Sequence, residues 1–144
     1  MKVLKGTERP CRVNKQEPKL PIERSMVPAW LSERAKEAYR ELSDVLVGMQ
    51  VLTKADRMAL EMLCDAYAQY RDAQEFVREN GMTYETSTEA GTMHRAFPQV
   101  AIASDAYKRI RSMMTEFGLT PASRGKVSAQ GEQKEDPLAN YMNG

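Results

Sequence analysis

Between Thr53 and Asn80 the apolar positions return with the period of an α-helix. At 100° per residue Ala55, Ala59, Leu60, Met62, Leu63, Ala66, Tyr67, Tyr70, Ala73 and Val77 share one broad arc. Lys54, Arg57, Glu61, Asp65, Gln69, Asp72, Glu75 and Glu79 fill the opposite arc. Thr53 suits the N-cap, Asp56 follows three residues later as in a capping box, and Asn80-Gly81 supplies the stop. The pattern predicts a long amphipathic helix with a wide apolar face and an acidic outer face. Only other helices, from this chain or a neighbour, can cover such a face. Leu60, Leu63, Tyr67, Tyr70 and Val77 are its candidate oligomerisation residues.

The flanking patterns place the neighbours. Ala35, Ala38, Tyr39, Leu42, Val45 and Leu46 have helical spacing, with Ser32 as N-cap and Gly48 as stop. Five residues then separate this helix from the central one, so the two form an antiparallel hairpin. Trp30, the single tryptophan, is expected to plug that hairpin by its large apolar area. Past Gly81 the period changes. Met82–Thr86 alternates as a strand would, and Glu89-Ala90-Gly91 can turn it back along Thr92–Arg95, giving a small β-hairpin. Pro98 opens a third helix with Val100, Ala103, Ala106, Tyr107, Ile110, Met113, Met114 and Phe117 as its apolar face and Gly118 as stop. Thr120-Pro121 then starts a short further turn carrying Arg124 and Lys126.

The fold class is therefore mainly α: an antiparallel helical hairpin plus a third long helix, with a small β-hairpin between helices 2 and 3. Residues 1–28 hold four prolines among basic residues and read as a Pro-rich basic arm without helix or strand. Residues 29–127 are the helical oligomerisation core. Residues 128–144 are polar and read as a disordered tail, ending in an apolar triplet, Leu138, Tyr141 and Met142, at i, i+3 and i+4. That triplet has the spacing of a segment that orders on a partner.

Charge changes the picture more than composition does. The net charge is +1, but residues 1–24 carry seven Lys/Arg against three acids and 108–128 five against one. Residues 25–107 carry eight against thirteen. An acidic helical body with basic ends suits an anionic partner gripped by the ends, or basic arms lying on acidic neighbours in a self-assembly. The candidate phosphate-contacting residues are Arg9, Arg12, Lys15, Lys108, Arg109, Arg111, Arg124 and Lys126. No apolar run approaches the roughly 20 residues of a membrane span, so a cytosolic protein is expected. Cys11 and Cys64 make no disulfide framework and are expected as free thiols.

A search for chemistry finds no Gly-rich phosphate loop, nucleophile elbow, HExxH or cysteine-pair metal pattern. His94 is the single histidine and has no cluster of ligands beside it. The expectation is a non-enzyme without cofactor or metal.

The assembled pieces resemble a known family. Gly6-Thr7-x-Arg9-Pro10-x-Arg12-x-Asn14 with Glu17-Pro18, Trp30-Leu31 before a helix, and Leu52-Thr53-x-x-Asp56 opening a helix with Leu60, Cys64 and Ala66-Tyr67 carry the likeness. So do Gly81-x-Thr83-Tyr84 and the closing Phe117-Gly118-Leu119-Thr120-Pro121-x-Ser123-Arg124. In this order, over residues 4–127, the chain resembles the small subunit of phage terminase, in a branch common among tailed phages and prophages. Phe97-Pro98 departs from the pattern, where a more polar residue is expected before the proline. The resemblance implies a non-catalytic helical protein of the host cytoplasm that forms a cyclic homo-oligomer. It implies binding to concatemeric viral double-stranded DNA, and delivery of that DNA to a large ATPase/nuclease subunit that it regulates. Two competitors are a DNA-binding transcriptional regulator and a structural head-assembly adaptor. The acidic outer face of the central helix counts against a recognition helix of the first kind.

Overall fold

The fold is taken from a computed structural model, which describes residues 20–124. Expectations for the arm up to Lys19 and for the chain beyond Arg124, Lys126 and the tail included, lie outside the described residues. The elements are α1 (Glu33–Gly48), a 3-10 turn (Lys54–Asp56), α2 (Arg57–Asn80), β1 (Thr83–Thr88), β2 (Gly91–Ala96), α3 (Pro98–Glu116) and α4 (Pro121–Arg124). The mainly helical class, the three main helices and the hairpin between the second and third are as the pattern predicts.

Local chemistry sets the starts. Ser32 Oγ accepts from the Ala35 N–H at 3.3 Å, capping α1. At the start of the central helix the carboxylate of Asp56 accepts from the Thr53 N–H at 2.9 Å and the Thr53 hydroxyl at 2.7 Å. That clasp tightens the first turn into 3-10 geometry, so α2 proper begins four residues after its cap. Pro98 occupies the first turn of α3, and Thr120 and Ser123 cap α4 reciprocally.

The stops divide. Gly118 has φ +69°, and the Leu119 N–H donates to the Met114 carbonyl at 2.9 Å, the longer-range bond of a Schellman ending. Gly81, at φ +83°, closes α2. Gly48 does not stop α1 as expected. It is the last helical residue, and the left-handed residue is Gln50 at φ +58°. Three bonds, from Met49, Gln50 and Val51 to the carbonyls of Val45, Val47 and Leu46, carry the reversal two residues beyond the glycine.

Packing places α2 in the middle. Arg34 of α1 reaches Asp72 and Glu75 of α2, while Gln69, Tyr70, Ala73 and Val77 of α2 face α3. The core lies at the α1–α2 seam, where Tyr39, Leu46, Leu52, Leu60, Leu63 and Cys64 are buried, and the end of α3 adds Phe117. The seam with α3 is closed by small residues, Ala66, Ala73, Ala103 and Ala106, which let the two helices approach. Trp30 departs from the expectation: it is 62% exposed, and its neighbour Leu31 plugs the hairpin instead.

The strands β1 and β2 pair antiparallel in register Thr83↔Ala96 to Thr88↔Gly91, with Glu89-Ala90 as the two-residue loop. The hairpin runs further toward its loop than the alternation predicts, to Thr88 and Gly91, and its root is shifted by one residue, to Thr83 and Ala96. Its root is fixed by Phe97, whose ring lies 5.2 Å from Phe76 and 5.0 Å from Tyr84. The Phe97 N–H donates to the Met82 carbonyl at 3.0 Å.

Candidate functional site

Two apolar patches along α2 reach the surface. On one, Met58 and Met62 are 74% and 62% exposed, and Trp30 lies beside them with its indole N–H donating to Glu61 at 3.1 Å. On the other, Tyr70, Gln74 and Val77 face Val100, Ala103, Ser104 and Tyr107 across a groove of about 310 Å³ that Met82 also lines. The rings of Tyr70 and Tyr107 are 6.2 Å apart. Tyr67 packs against the main core, its hydroxyl accepting from Arg71 at 3.0 Å.

The candidate oligomerisation residues thus separate. Leu60 and Leu63 belong to the protomer's own core. Tyr67, Tyr70 and Val77 are half-buried and reach the surface. Sequence reasoning missed Met58 as a surface apolar residue and placed Tyr107 on the apolar face of the third helix, where it is exposed. An apolar residue outside the main arc, as Met58 is, was the available signal for the first. Nothing in the period separates a buried tyrosine from one at a groove's rim.

The basic candidates separate in the same way. Arg9, Arg12, Lys15 and Lys126 lie outside the described residues. Arg109 is engaged by Asp105 at 3.0 Å and by Gln69 at 2.9 Å. Lys108 and Arg111 are exposed and make no ion pair among the described residues; with Ser112, Thr115 and the acid Glu116 they line a shallow trough along α3. Cations interleaved with hydroxyls at i, i+3, i+4 and i+7 can follow a row of phosphate oxygens. Arg124 is exposed at the end of α4.

Electrostatics elsewhere is structural. Arg34 donates to Asp72 and to Glu75 across the α1–α2 seam. The bond to Arg34 holds the Glu75 carboxyl below its ordinary value, and the bond to Glu75 raises the Arg34 guanidinium. Burial pushes the Cys64 thiol up to about 12, which keeps it protonated and unreactive. His94 faces Glu85 across the hairpin at 3.7 Å. Among the described residues no three His, Cys, Asp or Glu side chains gather as metal ligands, and no helix is long and apolar enough to cross a membrane.

A family model described as phage terminase, small subunit, matches residues 35–134, from the first turn of α1 to beyond α4. The chain belongs to that family. No curated protein and no solved structure matches it. Membership places the chain in viral genome packaging, where the small subunit is generally the non-catalytic component. The matched span holds all three helices and the hairpin, so both the groove and the Lys108–Arg111 trough lie inside it.

Proposed function

We propose that this chain is a ring-forming small terminase subunit that holds viral double-stranded DNA and presents it to the large ATPase/nuclease subunit in the host cytoplasm, modulating that subunit without catalysis of its own. Family membership supports packaging as the process. The observation that carries the ring is the presence of two unlike apolar patches, Trp30-Met58-Met62 and the Tyr70-Val77-Tyr107 groove. Unlike faces pair head to tail, and a head-to-tail contact closes into a ring when its rotation allows. A two-fold dimer would need only one self-complementary patch.

For DNA the reading rests on Lys108, Arg111 and Arg124, with Arg9, Arg12, Lys15 and Lys126 from the flanking segments. Arg109, already held by Asp105 and Gln69, contributes less. These contacts are phosphate-directed, so affinity falls steeply with salt. Native mass spectrometry tests the ring: one closed assembly of several subunits is expected, and a monodisperse monomer or dimer at micromolar concentration overturns it. Salt titration of duplex binding tests the second half. Removing one cation from the phosphates, as Lys108→Ala or Arg111→Ala does, lowers the slope by about 0.9. A ring indifferent to DNA would instead be a head-assembly adaptor.

A further inference from the structure

We propose that the Tyr70–Tyr107 groove is a docking site for the C-terminal tail of the same chain, with Leu138, Tyr141 and Met142 as the docked side chains. The groove is apolar and walled by two tyrosines, Val77, Met82 and Val100, and its volume of about 310 Å³ suits a few side chains rather than a helix pair. It continues along α3 into the basic trough, because Lys108 and Arg111 each follow a groove residue, Ser104 and Tyr107, by one helical turn. The trough runs to Thr115 and Glu116, beside the end of α3 from which α4 departs.

The tail has the complementary order. Past Arg124 come Glu132, Glu135 and Asp136, and then the apolar triplet at i, i+3 and i+4. Laid along α3 from its C-terminal end, the chain passes Glu116, its acids then meet Arg111 and Lys108, and the apolar residues meet the groove next. Reach is ample. Thr115 to Tyr107 spans about 12 Å of helix, whereas the thirteen residues 125–137 extend up to about 43 Å. The short tether gives the chain's own tail an effective concentration that a separate peptide lacks. Leu138, Tyr141 and Met142 also lie past the family match, which ends at residue 134. The device therefore belongs to this chain rather than to the matched segment.

Docking has two consequences, both resting on the ring and DNA roles proposed above. The docked tail occupies Lys108 and Arg111, so it competes with DNA phosphates. It also covers Tyr70 and Val77, so it shields that face of α2 until a neighbour displaces it.

The test uses the full chain with Cys11→Ser, in which the remaining Cys64 is buried. Gln74→Cys at the groove and Asn143→Cys beside the docked triplet are added and a mild oxidant supplied. An intrachain disulfide, seen as loss of two hydrogens by mass spectrometry and as a single-chain band on a non-reducing gel, is expected. Adding Leu138→Asp and Tyr141→Asp should slow its formation at least about tenfold, and Lys108→Glu with Arg111→Glu should slow it in a salt-dependent way. Cross-linked pairs of chains would place the tail on a neighbour and overturn docking within one chain. Free thiols throughout, or a rate indifferent to those substitutions, would overturn docking altogether. Native mass spectrometry of the same samples reports the ring separately. In the uncross-linked full chain, Glu132→Gln, Glu135→Gln and Asp136→Asn should tighten duplex binding; unchanged affinity refutes the competition with DNA.

Discussion

From Leu31 to Cys64 the chain buries Tyr39, Leu46, Leu52 and Leu60 completely, while from Thr83 to Ala96 every residue but the half-buried Thr86 is exposed. The α1–α2 seam draws its stability from apolar area removed from water, at roughly 25 cal/mol per Å². The β1–β2 hairpin has no such source. An isolated two-stranded sheet is marginal in water, and this one is held at its root by the rings of Phe76, Tyr84 and Phe97 and by the Phe97–Met82 backbone bond. The seam carries the fold, and the hairpin is carried by it. A projecting element of this kind is open to interaction without putting the core at risk.

Breaking the seam has the largest expected effect. Leu60→Ala should destabilise the protein by about 2–5 kcal/mol, because a fully buried leucine leaves a cavity. Met93→Ala on the hairpin should change stability by less than about 0.5 kcal/mol. Urea denaturation of both variants checks the contrast, and equal costs would mean that the hairpin packs on something in solution.

A pH titration probes the seam from inside. Burial raises the Cys64 thiol from 9.0 to about 12 in the folded state. The folded chain therefore holds that proton more tightly than the unfolded chain. The associated stability is complete below pH 9 and is lost as pH rises toward 12. Between about pH 8 and 11 the loss should exceed about 1 kcal/mol, and Cys64→Ala should remove that part of the slope. Native Cys64 should also resist alkylation at about pH 8.

Phe97→Ala sharpens the comparison at the junction. Each aromatic pair contributes about 0.5–1.5 kcal/mol beyond area, so the variant should lose roughly 1–3 kcal/mol. Hydrogen exchange should show the hairpin amides losing protection while α1 and the first half of α2 keep theirs. Loss of protection everywhere would make the two regions one cooperative unit.

The smallest effect is expected for the exposed clasp. Arg34→Met removes the partner of Asp72 and Glu75 at the rim of the seam. Glu75 is held below its ordinary value in the folded chain, so its contribution is present above 4.5 and disappears as pH falls through the carboxylate range. The variant should lose this acid-side slope and little else, since exposed pairs are screened by solvent and salt.

Much of the fold was legible because it is encoded locally. The period from Ala59 to Val77, the Ser32 cap, Thr53-Asp56, Pro98 and Gly118 each act within a turn or two of their own position. Alternation around Glu89-Ala90-Gly91 disclosed the hairpin for the same reason. Trp30 and Leu31 exchange the roles that apolar area assigns them. The indole is the larger, but the turn entering α1 points Leu31 at the core and leaves Trp30 to reach Glu61.

The candidate surfaces were less legible. The sequence by itself determined a wide apolar arc on α2, which residues share it, and that Lys108 and Arg111 lie one turn or less apart on the third helix. Tertiary structure decided how the arc is divided. Leu60 and Leu63 go to the core because α1 covers them, and Tyr70 and Val77 become groove walls because α3 meets α2 through small alanines and leaves the tyrosines at the rim. Tertiary structure likewise held Arg109 to Gln69 and left Lys108 and Arg111 without ion-pair partners among the described residues. Periodicity specifies an angle around one helix, whereas burial depends on which neighbour occupies that angle.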